Sequence, residues 1–165
     1  MGVILCFTPC KAAHYAYYLI NMKHFTINEL CKSATATKLG IDNTPPAAVV
    51  MNLKFLVELL LDPLREAYGK PIYVNCGYRC PELNKAVGGA KNSQHLTGLA
   101  ADIHVKGESN AVLYEIVKRY HLPFDQLIFE KGTIRNPQWV HLSVSRTKNR
   151  GEVLYYNGKT YTKLN

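Results

Sequence analysis

A chain of 165 residues, 47% hydrophobic and 19% charged, is long enough to bury one domain's core and too apolar for extensive disorder. Its formal net charge of +8 suits an anionic partner such as an acidic cell-wall polymer, but the basic residues form no dense run and no nucleic-acid motif, so no specific nucleic-acid site is expected. The richest apolar segment, AAVVMNLKFLVELLL, is interrupted by Asn52, Lys54 and Glu58, which excludes a transmembrane segment of about 20 residues.

Residues 1–21, MGVILCFTPCKAAHYAYYLIN, are apolar and tyrosine-rich but lack the basic leading region and small-residue cleavage site of a signal peptide. They read as an extension of uncertain role, with the domain covering 22–165 from Met22 onward. Asn43 or Thr44 followed by Pro45 and Pro46 marks a helix start. Val49, Leu53, Leu56, Leu60 and Leu64 follow at helical spacing and should face the core, and Pro63 should end or kink that helix. PIYVN, 71–75, reads as a strand. CPELNKAVGG reads as a short helix entered at Pro81 and stopped at Gly88 and Gly89.

In GLAADIHV, Leu99, Ala101, Ile103 and Val105 alternate with Ala100, Asp102 and His104, a strand with one apolar face and one chemical face. SNAVLYEIVKRYHLP gives a helix with Ser109 as cap, Val112, Leu113, Ile116, Val117 and Tyr120 on one face, and Pro123 beyond its end. QLIFE and QWVHLSV are strands, and VLYYNGKTYTKL is a hairpin turning tightly at Asn157 and Gly158. Helices first and hairpin-linked strands later make the fold class α+β, a single domain with a mostly antiparallel sheet.

Alternation in QWVHLSV places Trp139, His141 and Ser143 on one face. If that strand lies beside GLAADIHV, His141 and Asp102 project to the same side and His95 reaches in from the preceding turn. Two imidazoles and a carboxylate suit a catalytic zinc ion, which takes three protein ligands and leaves a fourth position for water. Nitrogen and oxygen donors would also accept other divalent metals.

The pattern S-x-H-x-x-G-x-A-x-D, here Ser93, His95, Gly98, Ala100 and Asp102, resembles the signature of the zinc D-Ala-D-Ala carboxypeptidases, peptidase family M15, in the manner of its subfamily A. VNCGYRCPELNKAVGGAKNSQH, FDQLIFE and WVHLS resemble the segments that precede the first ligand, form the next core strand and carry the last ligand. With HFTINEL and LDPLREAYGKPIYV the likeness runs from Lys23 to about Tyr161. It implies a Hedgehog/DD-peptidase-like fold with N-terminal helices, a sheet carrying one Zn2+ ion on His95, Asp102 and His141, and peptidoglycan stem peptide as substrate. A monomer is expected.

The resemblance also implies a carboxylate general base, and here the chain departs from the better-known pattern. An acidic residue stands three positions before the last histidine in those enzymes, whereas this chain has Gln138, which cannot take a proton. Glu130, at the end of DQLIFE, is the first candidate for a base and Asp125 the second. Arg79, in GYR, matches the family's arginine that binds substrate or steadies a tetrahedral intermediate. Ser93 matches a polar pocket position, and Gln126 is a further candidate for substrate contact.

Each residue also has a plainer reading. His104 faces the same way as Asp102 and could ligate or support a ligand. His14, His24 and His121 read as surface or capping residues. Glu130 could simply pair with a lysine or arginine, and Arg79 could form a structural salt bridge. The five cysteines, Cys6, Cys10, Cys31, Cys76 and Cys80, match no disulfide or zinc spacing and read as reduced thiols, with Cys76 and Cys80 packing rather than ligating. Tyr155, Tyr156 and Tyr161 suit a stacking surface for sugars or ordinary cross-strand packing.

The expected function is therefore zinc-dependent hydrolysis of peptidoglycan stem-peptide amides, as a carboxypeptidase or an endolysin-type endopeptidase acting on the bacterial cell wall. The lack of a clear secretion signal favours cytoplasmic synthesis with phage-type release. The alternative is a catalytically inactive metal-binding structural or wall-binding module, such as a phage virion component, motivated by Gln138.

Overall fold

The computed structural model describes residues 22–164. Residues 1–21, with the readings made for Cys6, Cys10 and His14, lie outside the described residues. Thr26 caps α1 (Ile27–Cys31) by accepting from the Glu29 amide, and Ser33 caps α2 (Ala34–Leu39) by accepting from the Ala36 amide.

The helix expected to start at Asn43 or Thr44 begins after Pro46, which caps it without a side-chain hydrogen bond, and it continues past Pro63. It runs as α3 (Ala47–Leu56), a π-helical turn (Val57–Leu61) and α4 (Asp62–Tyr68). The Asp62 amide donates to the Val57 carbonyl, one residue further back than in an α-helix. Proline supplies no amide and crowds the carbonyl one turn back, so the wider turn lets Pro63 sit inside the rod rather than end it. Gly69 closes α4 in the left-handed region, φ 75°.

The remaining elements are β1 (Tyr73–Cys76), α5 (Pro81–Ala86), a 3-10 turn (Gln94–Thr97), β2 (Ala100–His104), α6 (Val112–Arg119), β3 (Gln126–Glu130), β4 (Trp139–Ser143), β5 (Glu152–Tyr156) and β6 (Tyr161–Lys163). The strands form one six-stranded sheet in the order β1-β2-β4-β3-β5-β6. All neighbours run antiparallel except β3 and β5, which are parallel. The fold is α+β.

One sheet face supplies Ala101, Ile103, Leu127, Phe129, Val140 and Leu142, all buried against Leu53, Leu56, Leu60, Leu64, Leu113 and Val117 of the helices. Each such large aliphatic side chain contributes about 1.5–3 kcal/mol on burial. The opposite face carries two cross-strand rows. Asp102, His141, Ile128 and Leu154 lie in register across β2, β4, β3 and β5. Two residues along, Trp139, Glu130, Tyr156 and Tyr161 lie in register across β4, β3, β5 and β6.

Three local expectations are corrected. Tyr120 is 55% exposed because α6 ends at Arg119 and Tyr120 only caps it. Ser109 accepts from the Ala111 amide and donates to the Arg135 carbonyl, so it caps a lead-in turn rather than α6 itself. The β5–β6 connection spans Asn157 to Thr160, since Tyr156 pairs with Tyr161. Asn157 Oδ1 accepts from the Lys159 and Thr160 amides, which turns the chain over four residues instead of two. Among the described residues no helix is long and apolar enough to cross a membrane.

Candidate metal centre and cleft

Local backbone chemistry fixes the turn that carries His95. Ser93 Oγ accepts from the His95 amide at 3.4 Å, and Gly98 closes the turn at φ 71°. A Cβ on Gly98 would lie 2.9 Å from Val49 Cγ1, so both the backbone conformation and the close approach to α3 require glycine. The imidazole of His95 is 1% exposed, and its Nδ1 donates to the Gly77 carbonyl at 2.6 Å.

Asp102 and His141 are direct partners across β2 and β4, so both point from the sheet toward His95. His95 Nε2 lies 3.2 Å from Asp102 Oδ1 and 3.1 Å from His141 Nδ1. His141 Nδ1 lies 2.9 Å from Asp102 Oδ1. Tetrahedral ligands bound at about 2.0–2.1 Å stand about 3.3 Å apart, so a triangle of this size fits one zinc ion. The donor chemistry agrees. With His95 Nδ1 committed to the Gly77 carbonyl, its Nε2 faces a carboxylate oxygen and the His141 Nδ1, a donor set that a cation between them would join. Burial alone would raise the Asp102 pKa, but the neighbouring imidazoles of His95 and His141 hold it far below the usual carboxylate range.

The triangle opens on a cleft of about 480 Å³ lined by Arg79, Ser93, Gln126, Glu130, Trp139 and Tyr161 among others. Glu130 is half-buried on the same face as His141, and no ion pair engages it among the described residues. Burial, and then the charge of Asp102, raise its pKa above the ordinary glutamate value. The Arg79 amide donates to the His95 carbonyl at 3.1 Å, and its side-chain Nε is buried without a hydrogen-bond partner among the described residues. Neither residue therefore forms the structural ion pair that was its plainer reading.

The model of the family described as Peptidase M15 matches residues 23–143. The chain belongs to peptidase family M15. A curated relative, the zinc D-Ala-D-Ala carboxypeptidase of Streptomyces albus G, is 39% identical over 61 residues, 36% of this chain and 24% of that protein. The chain thus aligns with about a quarter of the length of that relative. Arg79, Ser93, His95, Asp102, Gln126, Glu130 and His141 fall inside the M15 match, whereas Arg150, Tyr156 and Tyr161 of the cleft lie beyond it.

Other expected residues take different places in this M15 domain. Asp125 does not line the cleft. It is 3% exposed, accepts from Arg150 Nη2 at 2.6 Å and from Gln94 Nε2 at 3.0 Å, and is held below the usual carboxylate range mainly by its bond to Arg150. As a base candidate it is corrected to an anchor that ties the β4–β5 connection to the His95 turn. Gln138 is exposed and does not line the cleft, so no side chain from that position faces the ligands. His104 stacks on Tyr73 with ring centroids 5.3 Å apart and is not brought to the triangle. His24 sits at the surface near Glu66, and His121, exposed and at φ 50°, follows the Tyr120 cap of α6. Ser93 Oγ is engaged in its turn, and Gln126 Nε2 donates to Glu152 at 2.8 Å; both still border the cleft. Tyr155 points to the core face and donates to the Gly132 carbonyl.

Sequence reasoning placed Cys76 in packing, away from the ligands. A register shift between Val74 and Cys76 sets it opposite Asp102, and its sulfur lies within 4.8 Å of the His95 and Asp102 donor atoms. Burial, then the Asp102 charge, push its thiol up to about 12. It does not line the cleft. Among the described residues Cys31, Cys76 and Cys80 are free thiols. Trp139 was also missed: its buried indole Nε1 has no partner among the described residues and it borders the cleft. The shared face with His141 was the signal for it.

Proposed function

We propose that this M15 domain is a zinc-dependent peptidase that hydrolyses an amide bond in peptidoglycan stem peptides, either trimming a terminal D-alanine or cutting within the stem. The observation that carries this reading is the His95–Asp102–His141 triangle opening on a cleft that also holds Glu130 and Arg79. One zinc ion on His95 Nε2, Asp102 Oδ1 and His141 Nδ1 would supply a Lewis acid that polarises the scissile carbonyl and acidifies water. Glu130 takes a proton from the attacking water as its oxygen bonds to the carbonyl carbon, and delivers it to the leaving nitrogen as the C–N bond breaks. A half-buried carboxylate with a raised pKa is a better proton acceptor than an ordinary one, which suits that task. Arg79 offers its guanidinium to a substrate carboxylate or to the oxyanion of the tetrahedral intermediate. Gly77 keeps His95 oriented through Nδ1.

The substrate places the site of action at the bacterial cell wall, as a lysis factor released by another protein or as a wall-remodelling enzyme. The working unit is the domain 22–165, a monomer, with residues 1–21 dispensable. The inactive-module reading rests on Gln138; Glu130 on the cleft face supports the enzyme reading.

Zinc-loaded protein incubated with defined stem peptides tests the proposal. Release of product by the wild type and none by His95→Ala supports it. Bound zinc without turnover of any wall substrate overturns it in favour of the binding module.

A further inference from the structure

The row Trp139, Glu130, Tyr156 and Tyr161 runs across four adjacent strands on the cleft face. Its outer end is an aromatic pair: the Tyr156 and Tyr161 rings stack with centroids 4.5 Å apart and planes at 25°. Cross-strand packing alone would account for a buried pair, yet Tyr161 is 57% exposed and both rings border the cleft. The strand that carries Tyr161 is exposed throughout, so the ring is held over the cleft by Tyr156 rather than by a core beneath it. Trp139, at the inner end, offers a buried indole N–H without a partner among the described residues.

Strands lie about 4.7–4.9 Å apart, so β6 stands roughly 10 Å from the strand of Glu130. An extended chain advances about 3.3–3.6 Å per residue. Tyr156 stands about one such spacing from Glu130 and Tyr161 about two, so the pair meets a substrate from one to about three residues from the bond that Glu130 serves.

We infer that Tyr156 and Tyr161 form a subsite that runs from beside Glu130 to about three residues from the scissile bond, binds an extended peptide there, and so selects long substrates over a dipeptide. This rests on the proposed peptidase reading for the position of the bond. The stacked rings offer flat apolar faces to amide planes and aliphatic side chains, with Trp139 donating to a backbone carbonyl nearer the metal triangle. The subsite belongs to the C-terminal hairpin, beyond the stretch that matches the family.

Trp139 is the single tryptophan of the chain and reports binding by its fluorescence, independent of turnover. Zinc-loaded full-length protein is titrated with the dipeptide D-Ala-D-Ala and with a stem pentapeptide ending in D-Ala-D-Ala, on ice and within the dead time of any hydrolysis. The expected result is a pentapeptide Kd about tenfold or more below that of the dipeptide, the scale of one well-placed aromatic contact. That ratio falls toward one in Tyr161→Ala and persists in Tyr161→Phe, which keeps the ring. An unchanged ratio in Tyr161→Ala, loss of it in Tyr161→Phe, equal affinities in the wild type, or no binding of either peptide overturns the subsite. Failure of the peptidase reading looks different: the length preference is present in binding, and no peptide of any length is cut.

Discussion

Replacing Glu130 by glutamine tests both its roles, because the change keeps size and shape and removes the charge together with the ability to accept a proton. A general base contributes about 10²–10⁴ to a rate, so Glu130→Gln should lower kcat by that factor, about 3–5.5 kcal/mol of barrier, with KM little changed. Zinc content should be unaffected, since the triangle is made by His95, Asp102 and His141. Stability of the metal-free protein should move the other way. Burial and the charge of Asp102 raise the Glu130 pKa above its ordinary 4.5, so its ionised form costs folding energy at every pH above that raised value. Glutamine carries no such cost. Metal-free Glu130→Gln should therefore melt at a higher temperature than the wild type at neutral pH, and the difference should vanish as pH falls below the ordinary carboxylate value. The assays are single-turnover hydrolysis of a stem peptide at matched zinc content and thermal melts with chelator across pH. A variant that keeps the wild-type rate, or that melts lower at neutral pH, would refute the assignment and its electrostatic basis.

Asp125→Asn should cost about 1–3 kcal/mol in urea unfolding at neutral pH, the range for hydrogen bonds to a charged group with one partner, Arg150, half-exposed. Because Arg150 lowers the Asp125 pKa below 3.8, this stabilisation is complete above that value and is lost as pH falls through the lowered one, so wild type and variant should converge in acid. Cys76→Ser should keep full zinc stoichiometry by elemental analysis, since His95, Asp102 and His141 make a three-ligand triangle without it and Cys76 does not line the cleft. A chain beginning at Met22 should keep its melting temperature and turnover, because the Lys23 and His24 amides are already secured by Asp62 at 2.9 and 3.1 Å.

Much of the site was legible because its parts are local. Period-two alternation in GLAADIHV and QWVHLSV fixes which residues share a face, and the strands then meet with Asp102 directly opposite His141. The glycine in the His95 turn carries its own reason, a left-handed backbone pressed against Val49. What could not be read depends on pairing between distant segments. The parallel β3–β5 pair brings Tyr156 beside Glu130, and no local pattern distinguishes it from an antiparallel neighbour. The register shift that sets Cys76 opposite Asp102 is likewise invisible in the β1 sequence. Asp125 looked like a free carboxylate because Arg150 is distant in sequence. Pro63 read as an end or a kink, and which of the two it makes depends on the winding around it: a π turn takes it up and the helix continues.

The decisive measurement is anomalous diffraction at the zinc edge from crystals of the zinc-loaded protein. The expected result is one ion about 2.0–2.2 Å from His95 Nε2, Asp102 Oδ1 and His141 Nδ1, with its remaining position open to the cleft beside Glu130. A fully folded protein with no peak there, or a peak closed off by the Cys76 sulfur as a fourth protein ligand, would contradict it.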